Sequence, residues 1–130
     1  MSIKALLERV LKRIPRWITL ESGTAYATTT ANTWEYTGIS VTVPTNHVYQ
    51  LQVQMTYNSS RPIGIGFHGS TSIATAYSAP LYNSHSESTS IACCMTGFIL
   101  QAGTWYLFTK TAGTGSNNLY VRGLDIYISK

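Results

Sequence analysis

Few side chains in this sequence can do chemistry, and their spacing joins none of them into a site. The 130 residues include one Asp, four Glu, three His and two Cys. Nucleophilic catalysis needs a base beside the nucleophile and a further group that orients the base. Ser84-His85-Ser86-Glu87 brings an imidazole near a carboxylate, but in a polar run without the G-x-S-x-G setting of a nucleophile elbow, so it reads as a solvated loop. Asp125 falls inside the expected last strand, and His47, His68 and His85 are scattered. No acid–base pair has a spacing that fixes both members and tunes a pKa toward neutrality. The sequence therefore reads as non-enzymatic, with no catalytic residue.

Metal and cofactor signals are equally thin. Cys93 and Cys94 are adjacent, so a strand sends their side chains to opposite faces and a bridge between them is strained. Neither C-x-x-C nor H-x-x-x-H accompanies them, which leaves two small strand residues and no zinc site. The stretch Gly113 to Ser116 lacks the lysine of a phosphate-binding loop and runs into no expected helix. Asn58-Ser59-Ser60 matches a glycosylation sequon, but without a signal peptide it reads as chance. No metal and no cofactor are expected.

Aromatics are the better candidates for contact. Nine Tyr and three Trp provide flat amphipathic surfaces suited to sugars and protein partners, although Tyr is also an ordinary strand residue. Trp34, Tyr77 and Tyr82 lie beside expected loops and are the candidate ligand-binding residues.

The charge pattern narrows the partners. Lys4, Arg9, Lys12, Arg13 and Arg16 oppose only Glu8, which places the whole formal excess of +4 at the N-terminus. The rest balances: Arg61, Lys110, Arg122 and Lys130 against Glu21, Glu35, Glu87 and Asp125. A neutral body argues against sequence-specific nucleic-acid binding, even though a basic helix attracts phosphate non-specifically. The N-terminal apolar positions are broken by charges, so no signal peptide is read, and no stretch approaches the roughly 18 apolar residues of a membrane span.

These residues must be positioned by two kinds of element. Ser2 can cap a helix over Ile3 to Ile14, and Pro15 ends it. Ile3, Leu6, Leu7, Val10, Leu11 and Ile14 recur at helical spacing, opposite a basic face. Ile3, Leu7, Val10 and Ile14 form an unbroken heptad seam with Ile or Leu at one position and Ile or Val at the other, nearer to trimers than dimers. A helix of this length is marginal alone in water and needs a covering surface, on its own β domain or on other copies. The seam is read as an assembly element.

From Trp17 onward the hydrophobic period is two. His47 to Tyr57 alternates cleanly, Ile39 to Val43 precedes it, and Pro44-Thr45-Asn46 is the expected turn between them. Further strands are expected near Ile63 to Phe67, Ile73 to Tyr77, Leu81-Tyr82, Ser90 to Leu100, Thr104 to Lys110 and Leu119 to Ser129, with a glycine-rich loop over Thr111 to Asn118. Only 11% of the residues are charged, and Ser, Thr, Tyr, Gly and Asn fill the gap, a mix that favours strands and turns over a helical bundle. About eight antiparallel strands at this spacing predict a mostly β, jelly-roll-like sandwich over residues 17–130, preceded by an amphipathic assembly helix over residues 1–16.

The run Gly97-Phe98-Ile99-Leu100, Gly103-Thr104-Trp105-Tyr106-Leu107-Phe108 and Gly123-Leu124-Asp125-Ile126-Tyr127-Ile128 resembles small bacteriophage tail and fibre proteins, as does Thr42-Val43-Pro44-Thr45-Asn46-His47. It also resembles the trimeric heads of the C1q and tumour-necrosis-factor class. The resemblance implies a virion structural protein of a phage or prophage, made in the bacterial cytoplasm. It would be a homotrimeric head serving as a tail-fibre, attachment or decoration module. Its partners would be its own copies, other virion proteins and a host-surface glycan. The alternative is a stand-alone carbohydrate-binding sandwich whose helix folds back on itself.

Overall fold

A computed structural model describes residues 2–29, 33–57, 62–71, 82–84, 92–111 and 115–128. Helix α1 spans Ile3–Lys12. Ser2 Oγ accepts from Ala5 N at 3.0 Å, the cap expected from its hydroxyl. The helix stops two residues short of the expected Ile14. Proline disfavours helical dihedrals in the residue before it, so Pro15 keeps Ile14 out, and the last N–H groups tighten onto Val10 and Leu11 carbonyls.

Among the described residues eight strands follow: β1 (Arg16–Thr28), β2 (Glu35–Val43), β3 (His47–Tyr57), β4 (Pro62–His68), β5 (Tyr82–Ser84), β6 (Ala92–Leu100), β7 (Gly103–Thr111) and β8 (Gly115–Tyr127). One sheet has the order β1-β8-β3-β6 and the other β2-β7-β4-β5, all antiparallel. The outer strands of the chain pair with each other, then the next pair inward, down to β4 with β5. A long hairpin of strands rolled into two facing sheets gives this order, which is the jelly roll.

The alternation along each strand builds the core. Leu51, Val53 and Met55 of β3, Leu119 and Val121 of β8, and Phe98 and Leu100 of β6 face inward from the first sheet. Ile39, Val41 and Val43 of β2, Ile65 and Phe67 of β4, and Leu107 of β7 meet them from the second. Phe67 and Phe98 join the sheets edge to face, with ring centroids 4.9 Å apart.

The expected glycine-rich loop is shorter than its composition suggests. Gly115 to Asn118 is strand, with Gly115 opposite Thr28 and Asn117 opposite both Tyr26 and Tyr57. Ladder pairing, on β1 alone at Gly115 and on β1 and β3 at Asn117, outweighs the local turn preference of Gly and Asn. The expected strand near Ile73 to Tyr77 lies outside the described residues. Pro44-Thr45-Asn46 forms the expected turn: Asn46 takes a left-handed φ of 66°, and its carbonyl accepts from Ile128 N at 2.7 Å. That turn delivers His47 to the end of the sandwich where the helix leaves it.

Candidate functional site

Where α1 joins the body, a cleft of about 780 Å³ opens at the end of the sandwich. Leu11, Ile14 and Pro15 line one side of it, and His47, Asp125 and Tyr127 line the other. Residues 47, 49 and 51 of β3 and 121, 123 and 125 of β8 share the inward face. The register places Asp125 opposite Tyr49 on one side and Arg16 on the other. The carboxylate is thereby reached from both neighbouring strands. His47 Nδ1 lies 2.6 Å from Asp125 Oδ1, and Arg16 Nη2 donates to Asp125 Oδ2 at 3.0 Å.

Asp125 is nearly enclosed, with 7% of its side chain exposed, whereas the Arg16 side chain is 74% exposed. The histidine contact is therefore the stronger tether, since an exposed arginine is solvated and loses entropy on pairing. The His47 ring meets Tyr127 edge to face, with centroids 5.4 Å apart. The Tyr49 phenol is pushed above its ordinary pKa, first by burial and then by the charge of Asp125, with Arg16 opposing.

The sequence reading found no acid–base pair at a spacing that fixes both members, and the fold makes one that spacing does not show. The two residues lie 78 positions apart, and no local motif marks the pair. Only the β3–β8 register could have exposed it. Chemically, an imidazole held at Nδ1 by a carboxylate is the orienting half of a proton relay, and a relay also needs a nucleophile within reach. Among the described residues lining the cleft there is no Ser, Thr or Cys. No group of three or more His, Cys, Asp or Glu comes together among the described residues. What the three side chains do in the fold is lock the ends of β1, β3 and β8 at the root of the helix.

The sequence-derived contact residues are dispersed. Trp34 is half-buried and precedes β2 at the end of the sandwich opposite α1, where Thr28 pairs with Gly115 and Glu35 with Thr109. Tyr82 opens β5 opposite Phe67. Tyr77 lies outside the described residues. The assembly seam presents differently: Ile3, Leu7, Val10 and Ile14 are exposed at values from 48% at Val10 to 78% at Ile3. Leu6 and Leu11 are exposed as well. The body does not cover the seam. No described helix is long and apolar enough to cross a membrane.

Among known proteins, the chain matches no family model, no curated protein and no solved structure.

Proposed function

We propose that this chain is a structural protein of a bacteriophage or prophage particle: an oligomeric β-head, homotrimeric through α1, that attaches to a host surface or a neighbouring virion protein. The observation that carries the reading is the bare helix. Its five large apolar side chains, and Ile14 just beyond its end, remain about half or more in water, while the body buries its own core. Fully burying such a side chain is worth about 1.5–3 kcal/mol, and packing of this kind is where most of a short helix's stability comes from. Further copies of α1, joined along Ile3, Leu7, Val10 and Ile14, supply the missing surface. The alternative of a carbohydrate module with its helix folded back gains no support from a helix that leaves its apolar side exposed.

In such an assembly the jelly rolls are held side by side, and weak contacts on each head sum through avidity. The test is the solution mass by light scattering of the wild type and of Leu7→Asp and Val10→Asp variants. The expected result is a trimer that falls to a folded monomer in the variants. A monomeric wild type overturns the assembly reading. Mass spectrometry of purified particles from the host that carries this sequence tests the virion assignment, and particles without the chain overturn it.

A further inference from the structure

The outward face of the β1-β8-β3-β6 sheet carries a second feature, distinct from the cleft and from the helix. The registers set Trp17, Leu124, Gln50 and Ile99 in one row across the four strands. The next row is Thr19, Arg122, Gln52 and Gly97. Together they form a trough of about 460 Å³. Its two walls are the edge strands: the Trp17 ring is 78% exposed on β1, and Ile99 is exposed on β6. Four strands at ordinary spacing make it about 14 Å wide.

We propose that this trough binds an acidic oligosaccharide, with a sugar ring on the Trp17 indole and a sugar carboxylate on Arg122. This rests on the attachment role above and names the ligand class and the site for it. An open indole face stacks on the C–H face of a pyranose, as flat aromatic surfaces do with amphipathic partners. Gln50 and Gln52 each offer an amide donor and an acceptor, the mixture a hydroxyl-rich ligand needs. Neither amide has a hydrogen-bond partner among the described residues.

The charge decides the sugar class. Among the described residues, Arg122 forms no ion pair and no carboxylate lines the trough. An unneutralised guanidinium prefers a carboxylate, which it can hold in a two-pronged hydrogen bond. The same groups disfavour a second copy of the chain as the occupant, because a flat apolar interface would strand one charge and two amides without partners. Gly97 keeps the floor low. A Cβ placed there meets only Leu51 O at 3.8 Å, so a larger side chain fits the backbone and would rise into the trough.

The experiment is calorimetric titration of the full chain with sialyllactose and oligogalacturonate, using lactose and maltotriose as neutral counterparts. Saturable binding of an acidic sugar, weaker for its neutral counterpart, is expected. Trp17→Ala should weaken it roughly tenfold or more, and Arg122→Gln should remove the preference for acid. Gly97→Leu should abolish binding while leaving the circular dichroism spectrum unchanged. No binding of either acidic sugar at millimolar concentration overturns the site, as does binding that survives both Trp17→Ala and Gly97→Leu. Acrylamide quenching of Trp17 fluorescence, read in a chain whose other two tryptophans are replaced (Trp34→Phe, Trp105→Phe), reports the other occupant. Shielding in the wild type that is relieved by Leu7→Asp would assign this face to a second copy and overturn the sugar site. Solution mass is read in parallel: a monomer that binds acidic sugar overturns assembly alone, and a trimer that binds none overturns the trough alone.

Discussion

His47 Nδ1 and Asp125 Oδ1 are 2.6 Å apart, although 78 positions separate the residues in the chain. The contact closes the end of the sandwich on which the helix stands. Removing Asp125 takes a partner from His47 and Arg16 together, whereas removing Arg16 takes away only a solvated cation. Asp125→Ala should cost about 1.5–3 kcal/mol, in the range of hydrogen bonds to charged groups. Arg16→Ala should cost less than about 1 kcal/mol. Urea unfolding of the two variants at neutral pH checks the order, and equal losses would show that the exposed pair matters as much as the enclosed one.

Gly123 is the tightest backbone contact between β8 and β3. A Cβ at this position would collide with Gln50 O and come within 2.8 Å of Leu51 Cα. These are backbone atoms at the centre of the sheet, and they cannot turn aside as a side chain can. Gly123→Ala should therefore destabilise the fold by about 3 kcal/mol or more, at the upper end for overpacking. Gly97→Ala, on the neighbouring interface but with open space, should be near neutral. Thermal unfolding of the two variants side by side separates close approach from loss of glycine as such.

Alkaline pH should weaken the fold through two phenols. Burial, followed by the hydrogen bond to Glu35 and its charge, raises the pKa of Tyr26, and burial followed by the Asp125 charge raises that of Tyr49. Tyr26 Oη donates to Glu35 Oε2 at 2.8 Å, a bond lost on ionisation. A folded pKa above the unfolded value contributes stability that is fully present below the unfolded value of 10.0 and is lost as pH rises through the folded one. Urea midpoints should fall as pH rises above this value. Tyr26→Phe should make the fall shallower, and an unchanged slope would remove Tyr26 as its source.

Assembly through α1 also predicts a concentration effect. When folding and association are coupled, the melting temperature rises with protein concentration by mass action. The wild type should show this rise, and a chain lacking residues 1–13 should melt at one temperature across the same dilution series. Starting after residue 13 keeps Arg16 beside Asp125, so the β body retains its closure at the helix end. A truncated chain that still melts in a concentration-dependent way would place the association surface elsewhere.

Much of the architecture was legible in the residues because it depends on local spacing. The alternation of Leu51, Val53 and Met55 with Gln50, Gln52 and Gln54 reports β3 and its inward face without knowledge of any neighbour. Ser2 and Pro15 bracket α1, and Ile3, Leu7, Val10 and Ile14 mark its exposed apolar side. The turn at Pro44-Thr45-Asn46 was readable from side chains that accept its dihedrals. Local propensity misled where pairing was decisive, as at Gly115 to Asn118, which became strand against β1, with Asn117 and Asn118 also paired to β3.

What the sequence could not supply was which strands lie side by side, because register is a long-range choice made by the packing of whole faces. That choice put His47 on Asp125 and set Trp17, rather than Trp34, at the wall of the exposed trough. Trp17, Gln50, Arg122 and Ile99 come from four separate strands, and nothing in the spacing of any one strand hints at the others. Spacing within each segment set the elements, their inward faces and the charge on the helix. The neighbours of each face came from the folded sheets, since a hydrogen-bonded ladder brings together residues that chain order keeps apart.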